Sequence, residues 1–293
     1  MFRKSLILSA SLLLGTQILG TTPSFAADNG TNSGINFADQ YEQLRLEYEA
    51  KKEVQLAKKL KNLETKEVKK QKSKLSKEIA ELSDDQFLRF MHNFVLNNES
   101  TVEEMKEKLS LVNVEFSMKE KKADGLFHAA VLDNPSDIVL NVYASKRVGQ
   151  SYWHLTSSWD ALGWESNHAT LDVVSVEWDP EYGAYYSSTV PNDGIVTKRD
   201  GSNRLNGIYL FNVDDDKFTF DSYASVQVTK KKSGDLNFGT KYTHTYSTTS
   251  TSATGQAGIQ WDSTGPTGGF TYSVTSQTNV SKWYKYEDNA LTF

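Results

Sequence analysis

The spacing of apolar residues changes from a helical to a strand period near Val112, and this change constrains the fold more than any other feature. Residues 37–82 contain no Gly or Pro and are rich in Glu, Lys, Leu and Gln, which favour helices. Beyond Val112, short runs rich in Thr, Val and aromatic residues alternate with turn residues. The sequence therefore predicts an α+β fold: a helical arm or small helical bundle (37–111) followed by an all-β antiparallel, sandwich-like domain (112–293).

Three helices are predicted in the first part. The first is long, basic and amphipathic, Ser83 is expected to cap the second, and a capping-box pattern at 100–103 opens the third. The second has a dense aromatic face and must pack on another element. Strands are predicted at 126–132, 138–144, 152–156, 169–178, 184–190, 208–213, 217–229, 241–249, 253–261 and 269–286.

The first helix carries far more Lys than Glu between Lys51 and Lys77, although the whole chain is acidic. Two interpretations stay open. The lysines form an ordinary solvated helix face, or they are attracted to anionic lipid or to a wall polymer.

The N-terminus has the three parts of a secretory signal peptide. Arg3 and Lys4 precede an apolar core at 6–19, and small residues at Ser24 and Ala26 predict cleavage after Ala26. A retained anchor is disfavoured, because the run is diluted by polar residues and is shorter than the roughly 20 residues that span a bilayer. Residues 1–26 are therefore predicted to be a signal peptide and residues 27–36 a disordered leader, so we expect a secreted, extracellular protein. The style of the signal peptide is typical of a Gram-positive bacterium.

Composition excludes several classes of function. The chain has no Cys, which removes disulfides, thiolate catalysis and Cys-ligated metals. Without the signal peptide, 30 basic residues face 37 acidic ones, and this net charge of −7 argues against nucleic acid as a partner. No nucleophile elbow, zinc-protease helix or phosphate loop occurs, and the five His lack ligand spacing. We expect a non-catalytic protein without metal or cofactor.

Two acidic features leave alternatives open. Glu165 and Glu177 lie near tryptophans, as in hydrolases that cleave polysaccharides, so a secreted hydrolase is an alternative function. Asp214 to Asp216 are predicted to form a tight turn, with a calcium site as the alternative.

A cluster of aromatic residues provides the candidate partner-binding site. Trp159 and Trp164 are flanked by small and polar residues, which predicts an exposed loop, whereas Trp178 sits in an alternating strand and is assigned to the core. Exposed aromatic rings stack on sugars and anchor interfaces. The leading prediction is that Trp159 and Trp164 bind a cell-surface or cell-wall component, glycans included.

The last fifty residues hold the sharpest alternation. Apolar or small residues alternate with Ser, Thr and Gln from 252 to 261, and the pattern resumes after a turn. This pattern resembles the membrane hairpins of β-pore-forming toxins, which implies contact with a membrane and insertion as an oligomer. An ordinary half-exposed hairpin alternates for the same geometric reason. The candidate membrane-facing residues are Ala253, Ala257, Ile259, Trp261, Phe270, Tyr272 and Val274.

Overall fold

The computed structural model describes residues 45–96, 98–120, 135–161, 171–200, 203–214, 221–247, 258–275 and 279–293. Four helices come first: α1 (Lys52–Asn62), α2 (Thr65–Ala80), α3 (Asp84–Val95) and α4 (Val102–Leu111). Residues 45–49 are helical as well. Ser83 and Thr101 cap α3 and α4, because their hydroxyl oxygens accept hydrogen bonds from backbone N–H groups of the first turn. The start predicted at Ser83 is confirmed, and the capping box predicted at 100–103 lies one residue later, with Thr101 and Glu104 as its members.

The single long helix of the sequence prediction is wrong, since the chain breaks between α1 and α2. Leu63 is extended, with ψ 136°, and Glu64 caps the new helix. The step of five from Leu63 to Val68 interrupts the apolar stripe, so one straight helix cannot bury both residues. The break gives the two halves different partners: α1 packs on α3, and α2 packs on α4, where Lys69 and Glu107 form an ion pair at 3.0 Å.

The β-domain consists of two five-stranded antiparallel sheets. Sheet A has the order β1-β2-β3-β8-β5, and sheet C has the order β12-β9-β4-β7-β6. Two further strands, β10 and β11, pair only with each other among the described strands. The bounds are β1 (Val114–Met118), β2 (Ile138–Arg147), β3 (Tyr152–Ala161), β4 (Asp172–Trp178), β5 (Gly183–Thr189), β6 (Val196–Asp200), β7 (Ile208–Val213), β8 (Ser222–Lys230), β9 (Asp235–Ser247), β10 (Ile259–Asp262), β11 (Thr271–Val274) and β12 (Val280–Thr292).

The two sheets face each other across one apolar core, which makes the domain a sandwich. Trp159 of sheet A meets Tyr242 of sheet C edge to face at 5.7 Å, and Thr240 donates to the Ser157 hydroxyl at 2.7 Å. The four helices, called here the helical layer, cover the outer face of sheet A, while β10 and β11 cover the outer face of sheet C. The molecule therefore has four layers.

Several strand predictions need correction. β1 and β6 were not predicted, and the strand expected at 269–286 is two strands, β11 and β12. The β7 bounds agree with the prediction. The strand expected at 126–132 and most of 253–261 lie outside the described residues. None of the described helices is long and apolar enough to cross a membrane.

Candidate functional site

The charge-free part of the sequence is an insertion between two strands of sheet C. β9 and β12 pair over thirteen residues each, and the pairing ends at Ser247 opposite Val280. The chain between these two residues contains one charged residue, Asp262, apart from which no charge occurs between Lys241 and Lys282. Residues 258–275 of this insertion, called here the hairpin, fold back over the outer face of sheet C.

The hairpin packs on sheet C through the apolar face predicted from the alternation. Ile259 lies opposite Val274, and Trp261 lies opposite Tyr272, so these four side chains share one face. Tyr272 and Val274 are buried, and Ile259, Trp261 and Phe270 are partly buried. Their partners on the sheet are Val173, Ile208 and Leu210. Ala253 and Ala257 lie outside the described residues.

Two lysines hold the backbone of the hairpin. Lys241 donates to the carbonyl oxygen of Tyr272 at 2.7 Å, and Lys282 donates to that of Val274. The phenol of Tyr272 donates to the Val173 carbonyl at 2.8 Å and lies 2.8 Å from the Thr243 hydroxyl. The two lysines are those that bracket the charge-free sequence, so the hairpin is fastened by side chains at its own root.

Glu177 is buried beneath the hairpin. Its Oε1 accepts hydrogen bonds from Ser175 (2.8 Å) and from Thr271 of β11 (2.9 Å), while Oε2 has no hydrogen-bond partner among the described residues. Burial raises the pKa of Glu177 to about 7, against the opposing effects of these hydrogen bonds and of Lys241. The carboxyl group is therefore protonated in mild acid and ionised above neutral pH.

The tip of the hairpin fits closely against the end of β4. The backbone N–H of Phe270 donates to Asn206 at 2.8 Å. A Cβ atom on Gly269 would overlap the carbonyl oxygen of Trp178, and Gly268 has φ +88°. Glycine at both positions is what allows the tip to approach the sheet.

The structure overturns the expected position of Trp159. This residue lies in β3 and is fully buried between the sheets. The polar neighbours that suggested a loop are strand residues: Ser157 bonds to Thr240, and Ser158 bonds to His92 of α3. Trp159 therefore cannot contact a partner in this fold. Trp164 lies outside the described residues, and the assignment of Trp178 to the core is confirmed.

Another aromatic pair is accessible instead. Tyr186 is 61% exposed and stacks on Tyr152 at 5.1 Å. It occupies the extra position of a β-bulge in β5, between Tyr185 and Ser187, and bulges redirect side chains in this way. The phenol of Tyr152 donates to Asp84 at 2.6 Å. Sequence reasoning missed this pair, because a bulge leaves no mark on the alternation.

The acidic candidates give no assembled site among the described residues. Glu177 is enclosed by the hairpin, and Glu165 lies outside the described residues. Only Asp214 of the predicted aspartate turn is described, and its N–H donates to Ile195 at 2.8 Å. No group of three or more His, Asp or Glu side chains is placed to hold a metal ion in the described part of the chain.

No family model matches the chain, and no curated protein matches it in sequence. Among solved structures, it is similar to a cohesin module from a family 33 glycoside hydrolase of Clostridium perfringens ATCC13124, with 13% identity over 36% of this chain and 81% of that one and a TM-score of 0.26. It is also similar to BspA_C_WT (12% identity, 36% of this chain, 54% of that chain, TM-score 0.21). A third similar structure is the C-terminal domain of the Streptococcus pyogenes antigen I/II-family protein AspA, with 15% identity over 44% of this chain and 42% of that one and a TM-score of 0.23. Likenesses at these TM-scores assign neither fold nor function.

Proposed function

We propose that the chain is an exported, non-catalytic protein that acts at a membrane, where the hairpin leaves sheet C and inserts into the lipid bilayer. The observation that carries this proposal is the separate, side-chain-fastened interface between the charge-free hairpin and sheet C. The envelope or host-surface component that it binds is then the bilayer itself. Export rests on the signal sequence, and a secreted product beginning at Ala27 tests it by mass spectrometry.

The insertion has the length and polarity that a spanning strand needs. The nine residues from Ala253 to Trp261 and the nine from Pro266 to Val274 carry no charge, and the one charged residue, Asp262, lies in the turn between them. A tilted membrane strand takes about 9–11 residues. One face of the described hairpin is apolar and packs on sheet C. The same face would meet the acyl chains after insertion, while Ser273 and Gln260 would face water.

Insertion requires several copies of the chain. A single two-stranded hairpin in a bilayer leaves the N–H and C=O groups of both outer edges without partners, at several kcal/mol for each group. Hairpins from neighbouring copies satisfy these groups by pairing edge to edge. The proposal therefore includes a discrete membrane-bound oligomer.

The first experiment measures dye leakage from liposomes with the hairpin locked to sheet C. Gly268 of the hairpin and Asp179 of the sandwich are both replaced by Cys in this cysteine-free chain, because a Cβ atom on Gly268 would lie 3.3 Å from Asp179 Cγ, within the reach of a disulfide. The oxidised protein is expected to cause no leakage, and the same protein after reduction is expected to leak and to form an oligomer. A control disulfide replaces Asp235 and Thr292, which lie directly opposite each other at the ends of β9 and β12 that are remote from the hairpin. Leakage that survives the lock contradicts the proposal.

A variant that loosens the tip gives the converse test. Gly269→Ala places a methyl group against the Trp178 carbonyl, so the tip must move away from the sheet. Faster leakage than that of the unaltered protein is expected. Ser273→Ala, at an exposed position of β11, is the matched control and is expected to leave the rate unchanged. A slower rate for Gly269→Ala would contradict the proposal.

Binding to a surface without insertion is the second candidate function. The observation that favours it is the exposed Tyr186, which is stacked on Tyr152 and presents one open ring face. It predicts that Tyr186→Ala weakens retention on insoluble peptidoglycan or on cells, while Tyr284→Ala, equally exposed on sheet C, does not. Absence of leakage together with loss of retention in Tyr186→Ala would place this function first.

A further inference from the structure

The outer face of sheet A carries a polar array that the helical layer buries. The array has three residues on each of three neighbouring strands, and the strand pairing sets them side by side: Tyr143 opposite Thr156, and Thr156 opposite Ser225. All nine side chains contain a polar group, and all are buried. The members are Asn141, Tyr143 and Ser145 on β2, His154, Thr156 and Ser158 on β3, and Tyr223, Ser225 and Gln227 on β8.

The opposite face of the same three strands is apolar almost throughout. It contributes Leu140, Val142, Leu155, Val226 and Val228 to the core between the sheets. An antiparallel sheet with one apolar and one polar face is the pattern of a sheet whose polar face meets water. The sequence of sheet A is therefore that of a solvent-exposed sheet, although helices cover it.

The array is poorly satisfied where it is buried. Five of its polar atoms have no hydrogen-bond partner among the described residues: Tyr143 Oη, Ser145 Oγ, His154 Nε2, Tyr223 Oη and Gln227 Oε1. Buried polar groups in native proteins are nearly always paired, and leaving them unpaired is unfavourable. These atoms would bond to water if the helices moved away, so the closed state carries a penalty that an open state would relieve.

The helical layer builds most of its own apolar core. Phe87, Phe90, Met91 and Phe94 of α3 belong to one apolar cluster with the other helices, and this cluster reaches sheet A at β1 and at Tyr143 of β2. Contacts over the array include the ring contact of Phe87 with His154 (5.6 Å), the ring contact of His92 with Tyr223 (5.2 Å) and the hydrogen bond between His92 and Ser158. The helical layer is therefore held together by its own apolar contacts, and every member of the array except Tyr143 lies outside that apolar cluster.

Polar clasps fasten the two ends of α3. At its start, Asp84 accepts from Arg147 and from the phenol of Tyr152. Toward its end, His92 Nδ1 lies 2.8 Å from the Ser158 hydroxyl, and His92 Nε2 lies 3.6 Å from Asp221. Attachment at two points, with an unsatisfied polar face between them, is the arrangement of a removable cover.

We propose that the helical layer is a displaceable cover, which leaves sheet A as one folded unit and exposes the polar array while the sandwich stays intact. The open state presents the array to water and frees the side of α3 that contacted it. This inference is independent of hairpin insertion, since it concerns the other sheet.

Protonation of His154 favours the same opening. Burial lowers the pKa of His154 to about 4, with Arg147 adding to the effect and Asp84 opposing it. The other titratable or charged groups at this interface are on the sheet side Tyr143, Tyr152 and Tyr223, and on the helix side His92, Arg89 and Tyr48, with Asp221 beside His92. A histidine that resists protonation when covered gains protons when exposed, so acid promotes the open state.

The test compares the labelling rates of two buried cysteines introduced one at a time. Ser225→Cys lies in the array under the helices, whereas Ser157→Cys lies between the sheets, and both replace a fully buried Ser. If the cover opens while the sandwich stays folded, a thiol reagent modifies the first about tenfold faster or more than the second. Equal rates, which global unfolding alone would give, overturn the proposal.

Two further variants keep the test decisive. Ser145→Cys places the thiol in the same array on β2 and replaces an atom that has no partner among the described residues. This variant is used for the labelling measurement if circular dichroism shows that Ser225→Cys does not fold. Asp84→Asn removes one clasp and keeps the Ser83 cap. It is expected to raise the rate at Ser225→Cys and to leave that at Ser157→Cys unchanged; an equal rise at both sites contradicts a separate opening of the cover.

Discussion

The two outer faces of the sandwich are covered in opposite ways. The helical layer has an apolar core that its own residues mainly build and lies on a polar sheet face, whereas the hairpin has no core of its own and lies on an apolar one. An isolated two-stranded hairpin is marginally stable in water, while a helical unit with buried contacts can hold together. The helices can therefore leave folded, but the hairpin keeps its structure only while sheet C, or a substitute apolar surface, is beneath it.

The largest effect on stability is expected in the helical layer. Phe90→Ala removes a fully buried ring that stacks near Phe87 and Phe94. The unfolding free energy is expected to fall by about 3–5 kcal/mol, as large aromatic truncations in cores do. Urea unfolding followed by circular dichroism measures it. Leu205→Ala, at an 80% exposed position, should change it by less than about 0.5 kcal/mol. A loss below 1 kcal/mol for Phe90→Ala, on the order of a surface change, would show that the layer has no real core.

The second prediction concerns hairpin docking as pH changes. The pKa of Glu177 is raised to about 7 when docked, so the docked state binds the proton more tightly than an exposed carboxyl group does. Docking of the hairpin on sheet C is strongest in acid and weakens as pH rises through the pKa of the docked state. The free energy of docking is expected to fall by about 2.5 kcal/mol between pH 5 and 8. Hydrogen exchange of the Phe270 amide, which donates to Asn206, reports the opening free energy. Glu177→Gln should abolish the slope; the same slope in that variant would refute the assignment.

The third prediction gives the helical side the opposite pH dependence. The pKa of His154 is lowered to about 4 from an ordinary value near 6.5, so the covered state binds fewer protons and loses stability as pH falls. Between pH 7 and 5 the loss is about 2 kcal/mol. The measurement is urea stability of the parent and of His154→Gln at both values, because carboxyl groups titrate alike in the two proteins. An identical drop in both would remove His154 as the cause.

The smallest expected effect sharpens the hairpin side. Tyr272→Phe removes a hydroxyl that donates to Val173 and contacts Thr243. The opening free energy reported by the Phe270 amide should fall by about 1 kcal/mol, the net value of a typical hydrogen bond. Tyr284→Phe, on an exposed ring, should leave it unchanged. No effect at Tyr272 would indicate that apolar contact alone holds the strand.

The sequence predicted the elements whose local pattern matches their surroundings. Ser83 marks the start of α3, the capping-box pattern predicts the start of α4 to within one residue, and β7 is apolar enough to be recognised with its full bounds. β6 was missed because it is a charged edge strand, in which Lys198 and Arg199 do not alternate with apolar residues.

The wrong position of Trp159 has a related cause. Its polar neighbours belong to a sheet face that helices cover, and the pattern of one strand does not reveal which layer lies above it. For the hairpin, the alternating face and the charge-free run were predictable from the sequence, but the carboxyl group beneath it was not. Glu177 and Thr271 are 94 residues apart, and only the folded chain brings them together.

The pairing of β9 with β12 determines how the hairpin must rearrange if these two strands are to become longer. Continued beyond Ser247 and Val280, that pairing would set Asp262 opposite Gly265, whereas the hairpin sets Asp262 opposite Thr271. Because the offset of six residues is even, every side chain keeps its face while each arm slides by three positions. The present turn, closed by Gly265 and Gly269, must break before any new one forms. The rearrangement therefore needs two separate events, which are the release of the apolar arms from sheet C and the opening of the glycine turn at the tip.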